Sequence, residues 1–413
     1  MLLLINNKYI LKKVFENIEP AKYLEIIRRN KKLQNSLELT IKDYESCFKE
    51  YNQIEIEVIP TIEKTYGEYL KCINIPKEDK SYYHIYLYDM DNKIIEDNHK
   101  DEDEDEIEIS KIKIILDAEV KSLKGLFNSC YVLQEVNFIK FNRKNITDMS
   151  SMFHMCLNLV KVNMANLKNP NVTDMNCMFS SCLSLKQINL SNFNTSKVTN
   201  MSHMFYNCHN LEELDLSSFN TSNVTKMNFM FYNCSSLKKL DLSNFDTSKV
   251  TSMERIFNEC KLLEELNISN FDTTLLTNMG WMFFGCSSLK ELNVSGFNTS
   301  NVNNMSAMFY RCKSLKELNT KNFNTSKVTK MNRMFSECES LKELDLSNYN
   351  TDNLIDMDDM FNGCTFLTNL NISNFNFNKV KSMKRMIYNC SNELEKKIRK
   401  QNKNIKEEAF ILQ

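Results

Sequence analysis

The stretch CHNLEELDLSSFNTSNVTKMNFMFYNC, residues 208–234, decides the fold because it begins and ends on one period of a repeat. Leu214 and Leu216 alternate with polar residues, which is typical of a short strand with one buried face. From Val224 to Phe231 the apolar residues are instead spaced by three, three and one, which predicts a helical or 3-10 turn. The stretch therefore predicts one coil that contains a strand, a polar crossing and a turn.

The cysteine at the start of this coil returns along the chain at an unvarying interval of 26 residues. A fixed period of this length indicates a solenoid, in which each coil buries its apolar face on its neighbours. The series comprises Cys130, Cys156, Cys182, Cys208, Cys234, Cys260, Cys286, Cys312, Cys338, Cys364 and Cys390. We therefore predict an α/β repeat of about ten coils, with a continuous parallel sheet on one face and short helical or 3-10 turns on the other.

Two of the units, MFYNCHNLEELDLSSFNTSNVTKM and MFFGCSSLKELNVSGFNTSNVNNM, resemble the BspA-like leucine-rich repeats, whose pattern is MFxxCxxLxxLxL. The resemblance covers about residues 120 to 390. It implies a leucine-rich-repeat β-solenoid that serves binding or adhesion, often at a cell surface, with no shared enzymatic activity.

The chain divides into four segments. Residues 1–52 carry apolar residues at helical spacing, and residues 53–118 contain predicted strands at 54–59 and 82–88, which indicates a small α+β cap with an acidic loop at 96–110. The solenoid follows at 119–390, and 391–413 is predicted as a C-terminal helical cap or tail. Caps are expected because the open end of a solenoid presents an unpaired strand edge.

Composition argues against several functions. The chain has only six glycines and neither GxGxxG nor GxxxxGK[ST], which argues against the common nucleotide-binding loops. Its net charge of −1 provides no general attraction for nucleic acid or an anionic membrane. With no evident signal peptide or membrane-spanning segment, the sequence predicts a cytoplasmic protein, and the cell surface remains the alternative that the family resemblance implies.

The cysteine ladder also predicts that the chain holds no metal. A zinc site needs four converging ligands, whereas a ladder places its thiols in single file, so we expect small core-filling side chains. The five histidines occupy no recognisable catalytic motif, and carboxylates on a solenoid form rows rather than a pair inside a pocket. We therefore expect no enzymatic activity and no cofactor.

The outward strand positions form the first candidate binding surface. Counted from the cysteine of each coil, position +5 carries six Glu and two Lys and position +7 carries three Asp, a net charge of −7. Such a strip favours a basic or hydrogen-bonding partner, although a solvated face that prevents lateral aggregation is the alternative interpretation. The predicted binding residues are Asn189, Glu213, Asp215, Asp241, Glu265, Asn267, Glu291, Asn293, Glu317, Asn319, Glu343 and Asp345.

Aromatic residues on the turn side form a second candidate. Trp281, the only tryptophan, lies three residues before Phe284, and Tyr310 follows one coil later. Such residues are typical of interaction hot spots, and packing between coils explains them equally well.

These patterns predict a non-enzymatic scaffold that binds a protein or another macromolecule, without nucleic acid and without membrane insertion. The family resemblance leaves a cell-surface adhesin as an alternative. A third interpretation rests on LKKVFENIEPAKYLEIIRRNKKLQNSL, residues 11–37, which loosely resembles an F-box and so implies a substrate adaptor of a ubiquitin ligase.

Overall fold

The computed structural model describes residues 26, 30–37, 41–61, 72–95, 108–143, 145–167 and 171–412. A parallel β-solenoid of about nine turns follows a small N-terminal α/β region. The predicted fold class is therefore confirmed. The predicted acidic loop lies outside the described residues except for 108–110, and so does most of the segment that resembles an F-box.

The N-terminal region joins the solenoid through one shared sheet. Strand β1 (Ile54–Pro60) pairs antiparallel with both β3 (Ile109–Leu116) and β4 (Leu133–Phe141), and β4 pairs parallel with the first solenoid strand. The strands predicted at 54–59 and 82–88 are present. The elements are α1 (Lys31–Leu37), α2 (Ile41–Asn52), β1 (Ile54–Pro60), a 3-10 helix (Lys77–Tyr82), β2 (Tyr83–Asp89), β3 (Ile109–Leu116) and β4 (Leu133–Phe141).

The solenoid strands are three residues long and begin at position +5 of their coils. They are β5 (Lys161–Asn163), β6 (Gln187–Asn189), β7 (Lys239–Asp241), β8 (Glu265–Asn267), β9 (Glu343–Asp345) and β10 (Asn369–Asn371). The sheet is interrupted at residues 213–215, 291–293 and 317–319, whereas the sequence predicted a continuous one. Strands this short share few hydrogen bonds, so a small displacement removes the pairing, although Lys316 N–H still reaches the carbonyl of Lys290 at 3.3 Å.

The opposite side is built from turns and contains no continuous helix. Each coil places the residues at positions +21 and +25 in the left-handed region, for example Trp281 (φ 63°) and Glu259 (φ 60°). Alternate N–H groups donate to carbonyls of the next coil, as Cys177 does to Ser202 at 3.0 Å. The N–H groups between them donate to the carbonyl three residues back, as Tyr206 does to His203 at 3.1 Å. The predicted turns are therefore present as single turns of 3-10 type, and no continuous helix forms because every second N–H group bonds to the next coil.

Two ladders fill the core. The rings of ten phenylalanines, from Phe127 to Phe361, stack with centroids 5.2 to 5.9 Å apart. Ten thiols, from Cys156 to Cys390, each donate to a phenylalanine carbonyl of the preceding coil, with sulfur to oxygen distances of 2.9 to 3.2 Å. The cysteines are free thiols, so each combines a small volume with a weak donor.

Polar side chains set the corners of the coil. At position +13 a buried threonine, such as Thr247, donates to the carbonyl of Asp272 at 2.9 Å and accepts from its N–H at 2.7 Å. At positions +7, +12 and +18 an Asn or Asp oxygen accepts the N–H two residues ahead, as Asp241 does from Ser243 at 3.0 Å. These Asx turns let the chain change direction with very few glycines.

Both ends of the solenoid are capped: hydrogen-bond donors cover the free carbonyls of the first coil, and acceptors cover the free N–H groups of the last coil. At the N-terminal end Asn74 supplies donors: its N–H reaches the Leu126 carbonyl at 2.7 Å, and its amide reaches the carbonyls of Gly125 and Asn128. At the C-terminal end the N–H groups of Arg385 and Ile387 donate to carbonyls in the closing 3-10 segment, Glu407–Ala409. Helix α3, Asn392–Gln401, covers the core, and Gln401 extends the last strand through its side chain.

Candidate binding surfaces

The strand face carries the predicted acidic residues, and its side chains are exposed. It also exposes position +4, which the sequence-based interpretation omitted. There five Lys and two Glu lower the net charge of the face from −7 to −4. These charged residues at position +4 are visible in the sequence. They were not counted because the strand begins only at +5, so position +4 lies outside the alternating pattern.

Several predicted residues have local partners on this face. The Asp215 and Asp241 oxygens accept backbone N–H groups, and hydrogen bonds from Ser217 hold the pKa of Asp215 below its ordinary value. Glu265 pairs with Lys239 at 2.7 Å. Position +7 therefore shapes the turn after the strand, and the carboxylates of the strand itself are the groups available to a partner.

Four of those carboxylates are unpaired. In the described part of the chain no ion pair or side-chain hydrogen bond involves Glu213, Glu291, Glu317 or Glu343. The last three stand in consecutive coils and form an acidic column beside a parallel column of lysines at position +4, Lys290, Lys316 and Lys342. A shallow groove of about 630 Å³ opens at one end of these columns and is lined by Lys239, Asp241, Glu265, Lys290 and Glu291, among others. The structure thus brings Asp241, Glu265 and Glu291 to one concave site.

The aromatic residues of the turn side form the second surface. Trp281 contacts Phe284 edge to face at 5.3 Å, and Phe284 lies 5.0 Å from Tyr310, so the three predicted residues lie together. They are half-buried and continue into a row of stacked rings and one arginine. We define the aromatic ledge as His203, Tyr206, Phe229, Tyr232, Arg255, Trp281, Phe284 and Tyr310.

Stacking dominates the ledge. His203 lies 4.7 Å from Phe229, and burial lowers the pKa of this histidine, which keeps the neutral ring on the stack. The guanidinium of Arg255 lies between two rings, 5.6 Å from Phe229 and 5.1 Å from Trp281. The sequence-based selection considered only Phe, Tyr and Trp and therefore missed His203 and Arg255, although both occupy position +21.

Among the described residues no group of His, Cys, Asp and Glu is arranged to hold a metal ion. The N-terminal sheet does pair His84 Nε2 with Asp117 at 2.9 Å, which the sequence analysis did not predict. Burial acts to raise the pKa of Asp117, but hydrogen bonds from His84 and Gln53 outweigh it and hold the pKa low. Within the described ranges no hydroxyl or thiol is hydrogen-bonded to His84.

Comparison with known proteins places this repeat in a family. A family described as "Mycoplasma protein of unknown function, DUF285" matches the chain at residues 121–240, 235–342 and 312–408. These matches overlap and together cover more than half of the chain. The chain belongs to the DUF285 family. The repeated matches follow the solenoid, so the DUF285 repeat and the 26-residue coil describe the same region.

Other comparisons add little to the DUF285 assignment. No curated protein matches the chain. A solved structure, the crystal structure of a TLR13–ssRNA13 complex, is similar at 18% identity over 56% of this chain and 47% of that one, with a TM-score of 0.19. So weak a likeness says nothing about what this DUF285 protein binds. The described residues include no helix with the length and apolarity that crossing a bilayer requires.

Proposed function

We propose that this DUF285 protein is a non-enzymatic scaffold that binds a protein through the strand face of its solenoid. The proposed partner presents a basic or hydrogen-bonding segment, and the proposed location is the cytoplasm. The family match and the solenoid architecture support a scaffold, because each coil adds surface without forming an enclosed catalytic pocket.

One observation carries the choice of surface. Glu291, Glu317 and Glu343 occupy position +5 of three consecutive coils and have no ion pair among the described residues. Like charges at the same position of neighbouring coils repel. A partner that presents cations along the solenoid axis relieves this repulsion on binding. The adjacent lysine column favours acidic groups on one side of the same partner, which adds orientation to the recognition.

The spacing suits a helix laid along the axis. Successive coils rise by about 4.8 Å, and successive turns of an α-helix by about 5.4 Å, so three coils match two to three helical turns. A helix with a basic stripe beside an acidic stripe complements both columns. This geometry supports a protein partner over a small ligand, because the groove is shallow and open.

Affinity capture from a host lysate tests the proposal. The triple variant Glu291→Gln, Glu317→Gln and Glu343→Gln removes the acidic column with little change in shape. We expect the triple variant to lose the proteins that the natural chain retains. The difference between the two captures should become smaller at high salt, because salt screens the charges of the acidic column. The double variant Lys316→Gln and Lys342→Gln tests the lysine column of the same face and should lose less, because in this proposal that column only orients the partner. Identical captures by the natural chain and the triple variant would contradict the proposal.

The adhesin and the ubiquitin-ligase adaptor remain alternatives at the level of resemblance. The first rests on similarity to BspA-like repeats, and the second on residues 11–37, most of which lie outside the described residues. No contact or charge pattern described above favours either one over a scaffold.

A further inference from the structure

We infer that a gap at Gly296 is a specificity pocket of the strand face and that it receives a lysine or arginine side chain of the protein partner. The inference rests on the proposed function, because the gap lies at the edge of that face. Gly296 occupies position +10 of the coil that begins at Cys286. Every other coil carries a side chain at this position, and in seven coils it is an asparagine: Asn166, Asn192, Asn244, Asn270, Asn322, Asn348 and Asn374.

The asparagines at position +10 join neighbouring coils. The side-chain amide of Asn322 donates to the Ser295 carbonyl of the preceding coil at 2.9 Å. The amide of Asn348 reaches two carbonyls of its preceding coil, Lys321 at 2.8 Å and Phe323 at 3.2 Å. The carbonyls at positions +9 and +11 of a coil are therefore the acceptors for a donor that stands on the next coil.

Gly296 leaves this row of donors open in one coil. The acceptors that an asparagine here would reach are the carbonyls of Ser269 and Phe271, and within the described ranges no hydrogen bond reaches either of them. A Cβ at Gly296 would have no heavy atom within 4 Å apart from its own chain neighbours. Asn270 and Asn322 stand one coil to either side, about 9.6 Å apart, so the gap is one side chain wide.

The C-terminal cap shows that a side chain from outside the repeat takes the same kind of position. Asn402 directly follows helix α3, and its amide donates to the Phe375 carbonyl at 3.2 Å. Phe375 occupies position +11 of its coil, as Phe271 does in the coil before the gap. This acceptor therefore binds a donor that arrives on a segment of chain outside the row of coils.

The surroundings of the gap favour a cation over a neutral amide. The N–H of Ser269 donates to Asn267 Oδ1 at 3.3 Å, and Asn267 lines the groove of the strand face, so the gap and the groove are adjacent. Glu291, in the same coil as the gap, and Asp272, at position +12 of the coil before it, have no ion pair among the described residues. Two carbonyls beside unpaired carboxylates suit an ammonium or guanidinium group, which carries several N–H donors.

Peptide selection followed by a double-mutant cycle tests the inference. A displayed library of random peptides of about 20 residues, enough for five helical turns, is selected on the natural chain. The enriched peptides are synthesised, and fluorescence anisotropy measures their dissociation constants. Gly296→Asn fills the gap with the chain's own amide and should weaken binding about tenfold. Replacing one lysine or arginine of the peptide by alanine should weaken binding to the natural chain by a similar factor and binding to Gly296→Asn hardly at all.

A matched control and a stability measurement exclude an indirect effect. Ser218→Asn places the same residue at position +10 three coils away, where a side chain is already present, and should bind the peptides as the natural chain does. Gly296 lies outside the left-handed region and its Cβ position is open, so Gly296→Asn should unfold at the same or a higher urea concentration than the natural chain.

The outcomes separate the gap from the proposed function. The inference is overturned if Gly296→Asn binds the selected peptides as tightly as the natural chain, or if no cation of the peptide loses its effect in that variant. Peptides that the triple variant Glu291→Gln, Glu317→Gln and Glu343→Gln weakens but Gly296→Asn does not would remove the gap and leave the proposed face. Peptides that bind both variants unchanged, or a selection that enriches no basic peptide, would contradict both.

Discussion

Replacing Thr247 by valine tests whether the threonine ladder holds neighbouring coils together. Valine has nearly the same shape as threonine, so the change removes hydroxyl chemistry and leaves packing almost intact. In the structure the Thr247 hydroxyl donates to the Asp272 carbonyl at 2.9 Å and accepts from the Asp272 N–H at 2.7 Å. The variant therefore loses two hydrogen bonds and leaves two backbone groups of the next coil without their partner.

The expected cost follows from these two groups. An unsatisfied buried donor or acceptor costs about 1–3 kcal/mol, and the lower part of this range applies because Asp272 lies at an exposed corner that water reaches. We therefore expect Thr247→Val to lower the free energy of unfolding by about 2–3 kcal/mol. Urea unfolding followed by the fluorescence of Trp281, the only tryptophan, measures this change close to the altered coil.

In a matched control the removal of hydroxyl groups should leave the stability unchanged or raise it. Thr320 and Tyr349 replace the aliphatic and phenylalanine residues of other coils, and their buried hydroxyls make no hydrogen bond to any described residue other than each other. The double variant Thr320→Val and Tyr349→Phe removes both hydroxyls and should unfold at the same or higher urea concentration. If Thr247→Val unfolds like the natural chain, or if both variants lose the same stability, then the ladder bonds are not what joins the coils.

Two further predictions concern the thiols and the C-terminal cap. Burial raises the pKa of Cys208 and Cys260 from 9.0 to about 12, so the fold favours the protonated thiol; stability should be complete below pH 9 and fall as the pH rises from 9 toward 12, seen as a falling urea midpoint. Gln401→Ala removes the side-chain bonds to Leu370 and Ile372 and should cost about 1–2 kcal/mol in urea unfolding, whereas Lys403→Ala, an exposed neighbour, should cost almost nothing.

The repeat and its core could be predicted from sequence because a single period fixes both. The cysteine occupies the equivalent core position in every coil, so the 26-residue interval alone determines both the ladder of thiols and the stack of phenylalanines. The strands followed from the alternation of Leu214 and Leu216 for the same reason. Local patterns are sufficient wherever every coil repeats the same contact.

The conformation of the turns could not be predicted in this way. Scarce glycine argues against left-handed backbone, yet Trp281, Glu259 and Arg255 adopt it. Hydrogen bonds to the next coil fix these residues, and such bonds leave no trace in the residue types at positions +21 and +25. The hydrogen bonds at the two ends of the solenoid could not be predicted either, because Asn74 and Gln401 act through contacts with residues far away in sequence.

The orientation of the turn-side hydrogen bonds gives the solenoid an electrical polarity. On the turn side four N–H groups of a coil, such as those of Met201, His203, Phe205 and Asn207, donate to carbonyls of the next coil, whereas only the residue at position +17 donates backwards, as Thr199 does to Thr173. The turn-side peptide dipoles therefore add along the axis. The positive pole therefore lies at the C-terminal end, the reverse of an α-helix. Glu407 and Glu408 stand at that pole, where their negative charge offsets the field that the stacked coils accumulate.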